Sequence, residues 1–272
     1  MDRKALKNKV QTVRGLIEPD RLGPTLMHEH LLCDVTQPEL AECSCDEVAI
    51  TLENVWEINY TWGTRHLGNS RILDRDIAVR EMVRLREDGG NSIVELTNHG
   101  LARDPMGLVE IAERSDVNVV MGCGRYIDAF LSPEMRSQSV DEIANDIVAD
   151  VLEGVGDTNV RAGIIGEMGC SWPWTEAERR SMHGAVIAQQ ETGSTITVHP
   201  GRHVDSLFEI IQFVHGSGGD VSRTIIGHID RTISGIEDLF RLADTGCVIE
   251  YDFFGIEGTL YPFSDLMLPN DG

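Results

Sequence analysis

The chain has 272 residues, 41% of them hydrophobic, enough to bury one sizeable core in a single domain spanning 1–272. A formal charge of −22 excludes the basic surface that nucleic acid and anionic membranes require, and no apolar run approaches the roughly 20 residues of a membrane helix. The stretch from Met1 to Lys9 is charged and lacks the apolar core of a secretory signal, so a cytoplasmic protein is expected.

Short apolar runs alternate along the chain with amphipathic stretches, the pattern of βα units around a parallel sheet. Strands are predicted near 24–30, 92–97, 117–123, 161–167, 195–199, 223–229 and 247–253. Helices are predicted near 75–89, 105–114, 139–153, 175–192, 204–216 and 234–245. The first strand closes in His28-Glu29-His30. Alternation along a strand sends both imidazoles to one side and Glu29 to the other, which makes half of a metal site. A lone His-x-His is more commonly a pair of hydrogen-bonded structural residues, so this spacing needs company. The insertion 33–75 follows, with Trp56, Tyr60 and Trp62 at loosely helical spacing that suggests lid or shoulder packing. After the second strand comes His99 and after the third Tyr126, each a candidate substrate contact or an ordinary loop residue.

The fourth, fifth and sixth runs repeat the design of the first, ending in Glu167, His199 and His228. Between the fourth and fifth lies the clearest helix. Thr175 and Glu178 have capping-box spacing, Met182, Ala185 and Val186 share a face, and Gly193 stops it. Seven βα repeats suggest a TIM-type (β/α)8 barrel whose eighth strand and final helix are missing, because a closed barrel leaves no free edge. The last residues, 268–272, read as loop, so the chain is expected to be incomplete at its C-terminus.

In such barrels the active site is built at the C-terminal ends of the strands. His28, His30, Glu167, His199 and His228 all fall there. Neutral imidazoles and a carboxylate suit two divalent ions, zinc by default, with the glutamate bridging them. Each residue alone reads equally as a satisfied core group; five ionisable groups at one barrel mouth would be costly to bury without ions. The only lysines are Lys4, Lys7 and Lys9, which removes Schiff-base and carbamylated-lysine chemistry from the body of the fold. Cys33, Cys43, Cys45, Cys123, Cys170 and Cys247 form no CxxC pair and read as free thiols. Arg202, three residues past His199, suits a substrate with an anionic group, or a local acidic partner. Asp230 and Arg231 could orient His228 or pair with each other.

Several segments together resemble the phosphotriesterase-related branch of the metal-dependent amidohydrolase superfamily: Val10 to Leu16, Thr25 to His30, Gly163 to Pro173, Val198 to Arg202, Gly227 to Thr232 and Glu250 to Glu257. The resemblance implies metal ligation by His28, His30, His199 and His228, with Glu167 as the bridge. Gly166 stands where true phosphotriesterases carry a carbamylated lysine. The family's last ligand, an aspartate on the eighth strand that also takes the proton of the attacking water, has no counterpart here. Asp252 on the seventh strand and Asp271 in the tail both lie outside that motif. On this reading the chain alone folds poorly or binds at most one ion firmly.

The implied reaction is hydrolysis of a small anionic N-acyl compound, of the N-acetyltaurine or N-acyl amino acid type, by a metal-bridging hydroxide. The alternatives are a lactonase or phosphotriesterase, and a catalytically impaired truncated isoform. The partners expected are a small-molecule substrate and, as an alternative to a monomer, a second copy in a homodimer.

Overall fold

A computed structural model describes residues 3–36, 48–61 and 66–255. Seven parallel strands form one curled sheet in chain order: β1 (Thr25–Glu29), β2 (Ser92–Glu95), β3 (Asn118–Cys123), β4 (Ile164–Gly169), β5 (Ile196–His199), β6 (Thr224–Ile226) and β7 (Val248–Ile249). The order is sequential because each crossover carries a helix that returns the chain one strand further round. These helices are α1 (Arg75–Glu87), α2 (Pro105–Ser115), α3 (Val140–Leu152), α4 (Glu176–Thr192), α5 (Val204–Gly216) and α6 (Ile236–Ala243). All seven predicted strands and all six predicted helices are present. Among the described residues no eighth strand joins β1 to β7, and no helix is long and apolar enough to cross a membrane.

Both faces of the sheet are covered, which is why its strands read as nearly continuous apolar runs. Ile93, Val119, Ile165 and Ile226 belong to the main core, together with Met182, Ala185 and Val186 of α4. Their chain neighbours Val94, Val120, Ile164 and Ile225 point the other way and form a smaller cluster with Leu96, Val10 and Leu22. Each large apolar side chain so buried contributes about 1.5–3 kcal/mol. The α4 helix carries the predicted capping box, with Thr175 accepting from the Glu178 amide, and it ends at Gly193 in the left-handed conformation, φ 76°.

The structure adds elements too short to announce themselves. Val10–Thr12 and Gly15–Ile17 form an antiparallel hairpin, tied to β3 by Val13 N–H donating to the Val119 carbonyl at 2.9 Å. Cys33–Asp34 pairs with Arg71–Ile72, so the two ends of the 33–75 insertion meet. Trp56 lies on a helix, Val55–Thr61, and is more than half exposed, so it does not supply the packing expected of it. Cys43, Cys45, Trp62 and Asp271, with the side chain of Tyr60, lie outside the described residues. Cys33, Cys123, Cys170 and Cys247 are free thiols, as expected, the first three buried.

The parallel ladder is broken in register at two places. The β1–β2 pairing slips between Leu26 and Glu29, and the β4–β5 pairing slips between Ile165 and Met168. Such irregularities re-aim side chains. Here they flank His28 and Glu167.

Candidate metal centre

The four histidines and the glutamate picked out in the sequence converge. His28 and His30 leave the end of β1 with ring centroids 5.9 Å apart. His199 is the last residue of β5, and His228 follows β6 by two residues. Glu167 lies within β4 and is 1% exposed. The residue before it is necessarily glycine: Gly166 has φ +135°, and a Cβ there would collide with the Thr197 carbonyl oxygen. A side chain at 166 would have to displace the β5 backbone, and the carboxylate that enters the cluster is that of the next residue, Glu167.

Glu167 is the hub. Its Oε1 lies 3.3 Å from His30 Nε2, and its Oε2 lies 3.2 Å from His28 Nε2, 2.9 Å from His199 Nδ1 and 3.5 Å from His228 Nε2. His199 Nδ1 and His228 Nε2 are themselves 2.9 Å apart. Three sets of donor atoms close enough to share a cation result: His28–His30–Glu167, Glu167–His199–His228 and, on the far side of two of these rings, His28–His228–Asp252. The donors fit a divalent ion on their own chemistry. His28 Nε2 is buried and has no hydrogen-bond partner although it faces Glu167. One proton per neutral imidazole cannot satisfy every close nitrogen–oxygen and nitrogen–nitrogen approach around Oε2, whereas one cation between them can.

The charges agree with this. Burial works to raise the Glu167 carboxyl, but His199 and His28 outweigh it and hold the group well below the ordinary carboxylate range. Burial also pushes His199 down to about 3, against the pull of Glu167, so its ring is neutral at pH 7 and free to donate a lone pair.

Each ring nitrogen that faces Glu167 has a polar neighbour on the other nitrogen of its own ring. His30 Nδ1 meets Thr97 Oγ1 at 3.0 Å, and the Thr97 hydroxyl donates to Glu95. Glu95 is wholly buried, accepts the Leu31 amide at 3.2 Å and is pushed up to about 7 by desolvation. His199 Nε2 lies 3.2 Å from Arg231 Nη2 and 3.4 Å from the Tyr126 hydroxyl. Asp252 reaches His28 and His228 together, at 3.1 and 2.8 Å. Sequence alone places Asp252 outside the ligand motif; the structure brings it into the cluster. Its signal is in plain view, an aspartate just past the seventh apolar run, where four earlier runs place theirs.

The remaining candidates separate. Tyr126 lines the cluster, its ring edge-on to His199 at 4.9 Å. His99 is exposed and opens on a different cleft, of about 490 Å³, with Arg125, Met135, Gln138, Asp146 and Asp150. Arg202 is exposed on the turn between β5 and α5, where the neighbouring His203 stacks on Trp172 at 4.9 Å. The guanidinium against His199 belongs instead to Arg231, fully buried and donating to the Pro200 carbonyl at 2.8 Å. Asp230 accepts the amides of Asp252 and Phe253, at 2.8 and 3.3 Å. It therefore holds the segment after β7.

Comparison with known proteins agrees in sequence and fold. The sequence model of the phosphotriesterase family matches residues 8–268. The N-acetyltaurine hydrolase of Dictyostelium discoideum is 38% identical over 97% of this chain and 78% of its own length. That of Homo sapiens is 36% identical over 98% and 78%. Among solved structures, a resiniferatoxin-binding protein from Rhodobacter sphaeroides superposes with a TM-score of 0.87 at 32% identity, over 97% of this chain and 75% of that one.

Proposed function

We propose that this chain, which belongs to the phosphotriesterase family and is a metal-dependent hydrolase, cleaves the amide of a small anionic N-acyl compound, N-acetyltaurine and N-acyl amino acids being the substrate class. The observation that carries this reading is the convergence of His28, His30, His199 and His228 on the single buried carboxylate of Glu167, all within 3.5 Å. The names of relatives at 36–38% identity over nearly the whole chain support the choice of amide over phosphotriester.

His28, His30 and Glu167 would hold one ion, and Glu167, His199 and His228 a second, with zinc as the metal these donors favour. Two divalent ions would polarise the acyl carbonyl and lower the pKa of a water enough to attack it near neutral pH. The chain's own groups do the rest. Glu167 stays ionised, with Oε1 beside His30 and Oε2 beside His28, His199 and His228, and would contribute to both positions. Burial keeps His199 neutral, and the Tyr126 hydroxyl, 3.4 Å from Nε2, can accept the ring proton there and so leave Nδ1 bare toward Glu167. Arg202 supplies the charge that meets the carboxylate or sulfonate end of the substrate. A reducing compartment such as the cytoplasm suits the buried thiols Cys33, Cys123 and Cys170.

The test is a substrate panel on zinc-loaded protein: N-acetyltaurine, an N-acetyl amino acid, a neutral lactone and a neutral phosphotriester. Release of the free amine from the anionic amides, with the highest kcat/KM of the panel, is expected. Preference for the lactone or the phosphotriester overturns the proposal. Arg202→Ala should weaken the anionic amides by roughly 10–100-fold, the worth of one charge-assisted hydrogen bond, and leave the neutral esters unchanged.

A further inference from the structure

We infer that Asp252 is the positioning residue that fixes the protonated nitrogen of both His28 and His228, and that through His228 it decides whether the second ion position can form. The inference rests on the ligand set of the proposed hydrolase. Asp252 Oδ1 lies 2.8 Å from His228 Nδ1, and Oδ2 lies 3.1 Å from His28 Nδ1. An ionised carboxylate only accepts, so both Nδ1 atoms must donate. In the neutral, ion-binding form of each ring the opposite nitrogen then carries a bare lone pair. In both residues that nitrogen is Nε2, the atom facing Glu167 at 3.2 Å in His28 and 3.5 Å in His228. One carboxylate thus prepares a ligand for each of the two positions.

The backbone is arranged around this contact. His228 sits in the left-handed region at φ 56°, sparsely populated by residues with a side chain, and its amide donates to Asp252 Oδ2 at 2.9 Å. At Gly227 a Cβ would stand 3.1 Å from Asp252 Oδ2 and 3.2 Å from His28 Nδ1, so glycine leaves the carboxylate room to approach both rings. Asp252 in turn is held by its own amide, which donates to Asp230 Oδ2 at 2.8 Å. The two histidines are not equally dependent on it. His28 Nδ1 has a second acceptor in Glu250 Oε2 at 3.4 Å, whereas Asp252 is the acceptor for His228 Nδ1 among the described residues.

This asymmetry makes Asp252→Asn informative. The amide has one accepting atom. The His228 amide and His28 Nδ1 both point at the Oδ2 position, so the carbonyl oxygen belongs there and the NH2 group faces His228 Nδ1. Two donors cannot face each other, and His228 must move its proton to Nε2. That nitrogen then no longer ligates, and the Glu167–His199–His228 position is lost while His28–His30–Glu167 remains.

Two measurements on the full chain test this. Long-range 1H–15N spectra of the ion-free protein, whose nine histidines can be assigned by substitution, report the His228 tautomer. The Nδ1–H form is expected in the parent and the Nε2–H form in Asp252→Asn. Zinc per chain should fall from two to one in the variant, with affinity at the second position down about 10–100-fold, as for other partners that orient a metal-binding histidine. A parent protein with His228 in the Nε2–H form overturns the inference without any variant. So does an Asp252→Asn protein that binds two ions with parental affinity. A parent with His228 in the Nδ1–H form that takes up no zinc supports the tautomer assignment and sinks the hydrolase reading instead.

Discussion

The middle of the sheet and its β6–β7 end supply ligands to one cluster but hold them by different means. In the middle, β4 is buried at every position and its Ile165 and Met168 join Ile196 and Val198 of β5 in the main core, so Glu167 and His199 ride on strands that packing holds in place. At the end, β7 is two residues long. The α6 helix over it buries Leu242 but leaves Phe240 62% exposed, and Phe254 beyond β7 is 78% exposed. His228 and Asp252 are instead placed by hydrogen bonds, to each other and through Asp230. A ligand on a packed strand answers to volume; a ligand on a thinly covered edge answers to charge and protonation. Substitutions in the two regions should therefore fail differently.

The largest effect belongs to the middle. Glu167→Ala removes the shared carboxylate and should abolish both ion positions, with zinc per chain near zero and kcat/KM down on the order of 10³-fold. This contrasts with Asp252→Asn at the edge, which should cost one ion of the two. Equal ion loss in both variants would erase the distinction.

Next comes packing. Ile196→Ala, beneath His199 on β5 and fully buried, should cost about 2–5 kcal/mol in urea unfolding, through lost transfer energy and the cavity left behind. A small loss there would mean that the middle is not held by its core.

The third prediction concerns pH. Desolvation holds Glu95 up at about 7 against an ordinary 4.5, so the folded protein keeps a proton that the unfolded chain has released. Stability is therefore lost as pH rises from 4.5 to 7, the sign opposite to that of a salt-bridged carboxylate. The shift corresponds to roughly 3 kcal/mol. Glu95→Gln keeps an acceptor for Thr97 and should recover most of this at pH 8 but almost none at pH 4. Melts at the two pH values check it, and a gain of equal size at both refutes the assignment.

The smallest effect should come from the edge surface. Phe240→Ser should change stability by no more than about 0.5 kcal/mol, since that ring is largely in water already. A larger loss would show that α6 is packed more tightly than its exposure implies.

Much of the molecule is legible in the chain. The seven strands and six helices announce themselves because apolar runs and amphipathic stretches differ in period, and because Thr175, Glu178 and Gly193 punctuate the longest helix. The two small antiparallel pairings, with strands of two or three residues, carry too few side chains to show a period. Among site residues, His28, His30, Glu167, His199 and His228 share one signature, a polar group where an apolar run stops. Glu95 escapes because it sits inside its run, in Ser92-Ile93-Val94-Glu95, where it reads as a solvated interruption. The guanidinium against the His199 ring comes from Arg231, beyond the next strand, a contact that spacing along the chain does not announce.

What the sequence determines by itself is the order of βα units and the residues that stop each strand, since both follow from local patterning. Which nitrogen of each histidine faces the shared carboxylate is another matter. It depends on Thr97, Tyr126, Arg231 and Asp252 reaching the far side of rings carried on other strands. That is decided by the curl of the sheet and its two register shifts, because a hydrogen bond between residues as far apart as His28 and Asp252 exists only once the strands between them are in place.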